Sequence, residues 1–140
     1  LDHARLQASV SFVVGWQKID MPFVIFKVVD EGYGLNIDAV RSLAEAGSKL
    51  LVTVDCGITA CEAADVAKQL GMELIITDHH QPPDPLPQAF SIINPHQLNC
   101  EFPDKSLSGV GVAFFLLVAL RARLRKEKFF TTKNPEPDLH

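Results

Sequence analysis

The chain has 140 residues, which suits one domain and leaves little room for a second. Hydrophobic residues make up 47% of it and charged residues 21%, the mixture of an ordinary soluble globular protein. Its net charge of −4 excludes a strongly basic nucleic-acid-binding chain, although a local basic patch is compatible with it.

Sequence features also indicate where the protein works. No apolar run reaches the roughly 18 residues of a membrane span, and the N-terminus lacks the basic-then-apolar order of a secretory signal. Cys56, Cys61 and Cys100 form an odd count at no metal-ligand spacing, which favours reduced thiols. We expect a cytoplasmic protein that does not contact membranes. Position 1 is not Met, so the chain is expected to be a piece of a longer protein.

The first half of the chain alternates predicted strands and helices. After a possible helix over Ala4–Trp16, the apolar run Phe23–Val29 predicts a strand, and Asp38–Ala46 predicts a helix that ends before Gly47. The apolar residues of that helix that share one face are Val40, Leu43 and Ala44.

The same plan then repeats. Leu50–Val54 and Glu73–Thr77 predict two buried parallel strands, joined by a helix that ends at Gly71. Thr59 and Glu62 have the spacing of a capping box at the start of this helix. Its predicted apolar stripe consists of Val66, Ala67 and Leu70.

The last third of the sequence is more irregular. A proline-rich loop over residues 81–87 precedes a short predicted strand, Ser91–Ile93, and then a long predicted helix, Val110–Arg125. We expect a three-layer α/β domain with a mainly parallel sheet and flanking helices over residues 1–128. Residues 129–140 are expected to be a linker or a frayed C-terminal end.

Two acidic residues directly follow the two central predicted strands. Asp55 follows Val54, and Asp78 follows Thr77 and precedes His79 and His80. Both acids should emerge at the carboxyl edge of a parallel sheet, where open α/β folds bind their ligands. By itself a His-His pair is more often part of a surface loop, but its position beside the two acids favours a metal site.

These residue types suit a two-metal phosphoester-cleaving site. Mn²⁺ accepts carboxylate and imidazole ligands, whereas Mg²⁺ prefers oxygen. Asp55 can bridge two ions about 3.5–4 Å apart, and His79 can complete one coordination shell. We expect the His80 side chain to point elsewhere, because neighbouring residues diverge, and to hydrogen-bond a phosphate oxygen. Gly57 permits a sharp turn beside the metal.

At these residues the sequence resembles the DHH phosphoesterases, and within them the RecJ exonucleases. Val54–Ile58 and Thr77–His80 are similar to the second and third signature motifs of the family. The segments that favour the RecJ branch are Glu31–Leu35, Ile92–Pro95 and Phe102–Phe114. The resemblance implies Mn²⁺- or Mg²⁺-dependent 5′-to-3′ hydrolysis of single-stranded DNA, in DNA repair or recombination.

The resemblance also implies roles for individual residues. Asp55 and His79 would hold metal, and His80 would contact phosphate. Asp78 would either ligate a metal ion or orient a ligand from outside the coordination shell. The second Asp of the family's first motif would fall at about Asp2, and its fourth motif would follow His140. Lys27 is a weak substitute for a family contact with phosphate. Because ligands from both ends are lacking, we expect doubtful metal occupancy and no activity in the isolated chain.

The segment around Ser108 has two interpretations. Ser108 is a good N-cap, and the helix start with Gly109 and Gly111 suits phosphate, because unpaired N–H groups and a partial positive charge lie there. Equally, the two glycines allow tight packing of helix on sheet. The basic end of this helix, residues 121–128, is more readily explained by the helix dipole than by contact with nucleic acid.

Two other classes of function remain open from the sequence. One is a related enzyme at the same site: a phosphodiesterase for oligonucleotides or cyclic dinucleotides, or a pyrophosphatase. The other is a non-catalytic binding module that keeps the fold. The sequence leaves the oligomeric state undecided.

Overall fold

The computed structural model describes the backbone of Val24–Ile25 and residues 34–137. Within these residues four strands form one sheet, in which spatial order follows chain order and every pairing is parallel. The strands are β1 (Val24–Ile25), β2 (Leu50–Val54), β3 (Glu73–Thr77) and β4 (Ser91–Ile93). The expected α/β class with a parallel sheet is confirmed.

In the part of the chain that the structure describes, three helices flank this sheet: α1 (Ile37–Glu45), α2 (Cys61–Gln69) and α3 (Gly109–Lys126). Helices α1 and α2 pack on each other, and their buried side chains share one apolar cluster with β2 and β3. Helix α3 contacts the same two strands, and its buried Val112 lies outside that cluster. Helix α2 packs on β3, and α1 reaches the core through its packing on α2 and through Val40 and Leu43.

Helix α1 lies within one residue of the expected Asp38–Ala46 at each end. The side-chain oxygen of Asn36 accepts a hydrogen bond from the Ala39 N–H at 2.9 Å, which caps the first turn. Gly47 follows the helix with φ of +84°, a conformation that glycine adopts without strain. Val40 and Leu43 are buried, as expected, and Ala44 is partly buried against the same core.

For helix α2 the expected capping box was wrong, and the expected apolar stripe was right for Ala67 and for Val66, which packs against the core, but wrong for Leu70. The N-cap of α2 is Ala60, and no side chain caps the helix, because a turn closed by Ala60 N–H and Gly57 O leaves Thr59 outside it. The buried face consists of Ala63, Ala64 and Ala67, whereas Leu70 is 44% exposed. Small alanines let this helix lie close to the sheet, so the larger apolar residues that the pattern selected lie at its margin.

The register of β2 and β3 brings their carboxyl ends together. Val54 pairs with Thr77, and hydrogen bonding continues past the strand ends, since Asp55 N–H donates to Thr77 O at 2.9 Å. Asp78 N–H in turn donates to Ile93 O on β4 at 3.1 Å. The residues that follow three neighbouring strands are thereby fixed at one edge of the sheet.

Helix α3 begins at a side-chain cap and is followed by a segment that turns back. Ser108 Oγ accepts from Gly111 N–H at 3.2 Å. Beyond the helix, Glu136 pairs with Arg121 and Arg125, the latter at 2.7 Å. These ion pairs hold part of residues 129–137 against α3, although the expected domain boundary at residue 128 stays a prediction.

Several expectations lie outside the described residues. They concern Asp2, the helix Ala4–Trp16, Lys27 and the rest of the strand Phe23–Val29 beyond β1. Within residues 34–137, no helix combines the length and the apolar character that crossing a membrane requires.

Candidate metal centre

Asp55 occupies an unusual backbone conformation directly after β2. Its φ is +63°, in the left-handed region that few residues other than glycine adopt, with Asp and Asn the commonest exceptions. The following turn is tight: Thr53 Oγ1 donates to Cys56 O at 2.7 Å, and Gly57 has φ of +105°. This turn leaves the Asp55 side chain 49% exposed at the edge of the sheet.

Asp78 lies behind the site and is almost fully buried, with 1% of its side chain exposed. Its Oδ2 accepts the Ile58 N–H at 3.0 Å. Its Oδ1 accepts the N–H groups of His79 and His80 at 2.7 and 3.2 Å, and contacts the ring Nδ1 of His80 at 2.6 Å. One carboxylate therefore ties the turn after β3 to the turn after β2.

These contacts decide the charge of Asp78. Burial is the largest influence on its pKa and raises it, but the hydrogen bonds from Ile58, from the His80 ring and from the amides of His80 and His79 together lower the pKa below its usual value. The buried group is thus held as a carboxylate. An ionised Asp78 accepts from His80 Nδ1–H, which leaves the Nε2 lone pair of His80 available to a ligand.

The histidines meet Asp55 at the edge of the sheet. His79 Nε2 lies 3.1 Å from Asp55 Oδ1. Potential ligand atoms of Asp55, His79 and His80 all lie within 4.8 Å of one another. The two imidazole rings are 4.6 Å apart, so the expectation that His80 points elsewhere was wrong. The chain leaves the extended conformation after Thr77 and curls around Asp78, which lets neighbouring side chains converge.

The residues present fit a divalent cation. One carboxylate and two imidazoles suit Mn²⁺ or a similar transition metal better than Mg²⁺. Asp78, expected either to ligate or to orient, has both oxygens engaged by protein donors and does not belong to this group of three. His80, assigned to phosphate from the sequence, does belong to it.

Gly109 at the start of α3 is packed against Asp55. A Cβ atom at position 109 would lie 2.0 Å from Asp55 Oδ1 and 2.6 Å from its Cα, so only glycine fits. Gly111 has a different neighbour, because its Cβ would lie 2.5 Å from Leu107 Cδ1. The first turn of α3 therefore adjoins the Asp55 carboxylate, which a helix N-terminus favours electrostatically. Of the two interpretations of this glycine segment, close packing is observed.

The thiol of Cys56 is less readily ionised than an ordinary cysteine. Burial first, and then the negative charges of Asp78 and Asp55, raise the pKa of its thiol. A raised pKa does not favour a role as a nucleophile for this cysteine.

Sequence reasoning missed two polar residues that shape this edge. Thr77 Oγ1 donates to Thr53 O at 2.6 Å and joins the ends of β2 and β3. Asn94, which follows β4, is 3% exposed; its Nδ2 donates to His80 O at 2.9 Å, and its Oδ1 accepts the His96 N–H at 2.8 Å. A polar residue directly after a strand, as at Asp55 and Asp78, was the signal that could have identified Asn94.

The sequence matches one protein family over residues 4–137: the DHH family, N-terminal domain. Among curated proteins, the chain is 49% identical over 108 residues to the single-stranded-DNA-specific exonuclease RecJ of Salmonella typhimurium, covering 77% of this chain and 19% of the relative. It is 52% identical over 97 residues to RecJ of Bacillus subtilis, covering 69% of this chain and 12% of the relative. The chain thus spans a fifth or less of these relatives.

A solved structure shows the same fold. The crystal structure of exonuclease RecJ bound to manganese superposes with a TM-score of 0.59 at 41% identity, covering 68% of this chain and 24% of that one. At this identity, the likeness extends beyond the general α/β architecture.

Proposed function

We propose, from the premise that the chain belongs to the DHH family, that it carries part of the catalytic site of a metal-dependent 5′-to-3′ exonuclease acting on single-stranded DNA. The observation that carries this proposal is the convergence of Asp55, His79 and His80 within 4.8 Å. It is supported by the relatives, which are named as single-stranded-DNA-specific exonucleases. A manganese-bound RecJ structure supports a divalent metal as the cofactor.

In this proposal Asp55 and His79 hold the metal, and His80 adjoins the same ion or a phosphate oxygen. A bound Mn²⁺ or Mg²⁺, in a two-metal site of the intact protein, would supply positive charge to the phosphoryl group and activate water. Asp78 orients rather than ligates: its carboxylate fixes the His80 ring and both histidine amides.

The start of α3 is the proposed phosphate-facing element. Ser108, Gly109 and Gly111 are proposed to favour phosphate here, since a helix N-terminus carries a partial positive charge. Of the three, Gly109 lies against Asp55, and the Gly111 N–H already donates to Ser108 Oγ. Asp2 as a further metal ligand and Lys27 as a phosphate contact remain proposals from the sequence.

Because the 140-residue chain alone is expected to show no nuclease activity, the proposed function is tested in a chimera. Residues 34–126 would replace the matching segment of the B. subtilis RecJ relative, which supplies the rest of an intact enzyme. We expect Mn²⁺-dependent loss of nucleotides from 5′-phosphorylated single-stranded DNA, because the grafted site completes the metal shell. Circular dichroism and gel filtration would establish that each chimera is folded.

The matched control is His79→Ala in the same chimera, with His96→Ala as a second substitution of a histidine outside the proposed metal site. A folded chimera whose His79→Ala variant degrades DNA as fast as the unmodified form would contradict the proposal. Hydrolysis of a cyclic dinucleotide or pyrophosphate in preference to DNA would instead favour the related-enzyme alternative.

A further inference from the structure

His80 is held from two directions. Within its own turn, Asp78 Oδ1 accepts the His80 backbone N–H and contacts the ring Nδ1 of His80. From the neighbouring strand, Asn94 Nδ2 donates to the His80 carbonyl at 2.9 Å. Because 59% of the His80 side chain is exposed, packing alone does not fix the ring, and these hydrogen bonds set its position.

Asn94 is a buried polar residue whose side chain joins two segments of the chain by hydrogen bonds. It is 3% exposed, and both halves of its amide are used, since Oδ1 accepts from His96 N–H at 2.8 Å. It directly follows β4, whose Ile93 carbonyl accepts the Asp78 N–H. The end of β4 thus anchors the Asp78–His80 turn at its first and last residues.

We infer that Asn94 is a positioning residue that holds the His80 imidazole beside Asp55 and His79. The value of this positioning for metal binding rests on the proposed function, whereas the hydrogen bonds themselves are independent of that function. Without the Asn94 donor, the His80 carbonyl is released and the Asp78–His80 turn is anchored to β4 only through Asp78. The His80 ring then samples positions away from the Asp78 carboxylate and from the other two potential ligands.

Substitutions at Asn94 separate its donor from its acceptor. Asn94→Asp keeps the shape and the acceptor for His96 N–H but turns an oxygen toward the His80 carbonyl. Asn94→Ala removes both bonds. The matched control is Gln97→Ala. The Gln97 side chain also donates a hydrogen bond of 2.9 Å to a main-chain carbonyl, but that carbonyl belongs to Ile92 on β4, and the bond does not involve the Asp78–His80 turn.

The first measurement needs no metal. Imidazole ¹⁵N spectra of the labelled 140-residue chain, in mildly alkaline buffer, report which ring nitrogen of His80 carries the proton. We expect the unmodified chain and Gln97→Ala to show the Nδ1–H form bonded to Asp78. Both Asn94 variants should shift toward a tautomer mixture. An unchanged His80 spectrum in folded Asn94→Asp would overturn the inference, and this variant decides the matter if Asn94→Ala does not fold.

The second measurement adds Mn²⁺ and follows paramagnetic broadening of the two imidazoles. In the unmodified chain His79 and His80 should broaden over the same Mn²⁺ range, whereas His80 of the Asn94 variants should need roughly tenfold more, the usual effect of removing an outer-shell support. Equal broadening in Asn94→Asp and Gln97→Ala would count against the inference. If Mn²⁺ broadens neither ring of the unmodified chain, the proposed metal site fails, while the metal-free spectra still judge Asn94.

Discussion

His79 Nε2 and Asp55 Oδ1 lie 3.1 Å apart, although the two residues follow different strands of the sheet. Their separation is a consequence of the β2–β3 register, which pairs Val54 with Thr77 and aligns the two strand ends. A carboxylate and an imidazole at this distance share either a proton or a cation.

The isolated chain should bind Mn²⁺ only weakly. Two ions need about eight to ten ligands, and the described residues bring together three potential ligand residues. Titration calorimetry with Mn²⁺ is therefore expected to show no sub-micromolar site. A sub-micromolar site that Asp55→Asn abolishes would mean that the chain supplies more ligands than these.

Replacing Asp78 with Asn should destabilise the fold by about 3 kcal/mol, since an amide cannot accept all the buried N–H groups that now converge on the carboxylate. Urea unfolding followed by circular dichroism measures this. Asp104→Asn is the matched control, because Asp104 also accepts from a nearby amide and hydroxyl but is exposed. Equal losses in the two variants would refute the structural role given to Asp78.

The same carboxylate predicts how stability depends on pH. The pKa of Asp78 is lowered in the folded protein, so its stabilising effect is complete above the unfolded-state pKa of about 3.9 and is lost as the pH falls through the folded-state pKa. The free energy of unfolding should fall more steeply below about pH 4 in the unmodified protein than in Asp78→Asn. Parallel pH profiles would be inconsistent with this.

Adding one methyl group at Gly109 should disturb the candidate site. In Gly109→Ala the new Cβ meets Asp55 Oδ1 and the Asp55 backbone, so we expect a loss of about 1–3 kcal/mol in stability and a displaced carboxylate. Gly111→Ala is the comparison, because its Cβ meets the flexible Leu107 side chain instead. Chemical shifts of Asp55 and His79 should move far more in the first variant; equal movement would contradict the assigned contact.

Nuclease activity of the 140-residue chain should be undetectable. Losing one ion of a two-metal site removes interactions worth about 3–4 kcal/mol, a hundred- to a thousandfold in rate, and losing substrate positioning removes more. The assay is degradation of 5′-phosphorylated single-stranded DNA with Mn²⁺, with His79→Ala beside it. Degradation that disappears in His79→Ala would show the site to be more complete than we infer.

Much of the fold followed from the apolar pattern, because the strands β2, β3 and β4 are short apolar runs between glycines, prolines and polar residues. The parallel pairing of β2 with β3 followed from helix α2 between them, whereas β4 pairs in parallel with β3 after the proline-rich loop, with no helix described between the two. The start of α2 did not follow, since whether Thr59 caps a helix depends on the turn before it, and that turn is set by Gly57.

Residues of the candidate site could be selected from the sequence, but the direction in which each side chain points could not. Residue type and position after a strand identified Asp55, Asp78 and His79. That Asp78 would face inward depended on where the Ile58 amide lies, and the turn of His80 toward His79 depended on the hydrogen bonds to Asp78; sequence spacing encodes neither. The role of Asn94 was missed because its side chain bonds main-chain atoms, and its contact with the His80 carbonyl is not local in sequence.

The left-handed backbone of Asp55 limits which amino acids can ever replace it. A lineage that no longer needed the carboxylate would still need a residue that tolerates φ of +63°, and β-branched residues do not. Inactive descendants of this domain should therefore accumulate Asn or Gly at position 55 rather than Val or Ile. The amino acid at position 55 would then still be restricted by the backbone conformation after the catalytic requirement has been lost.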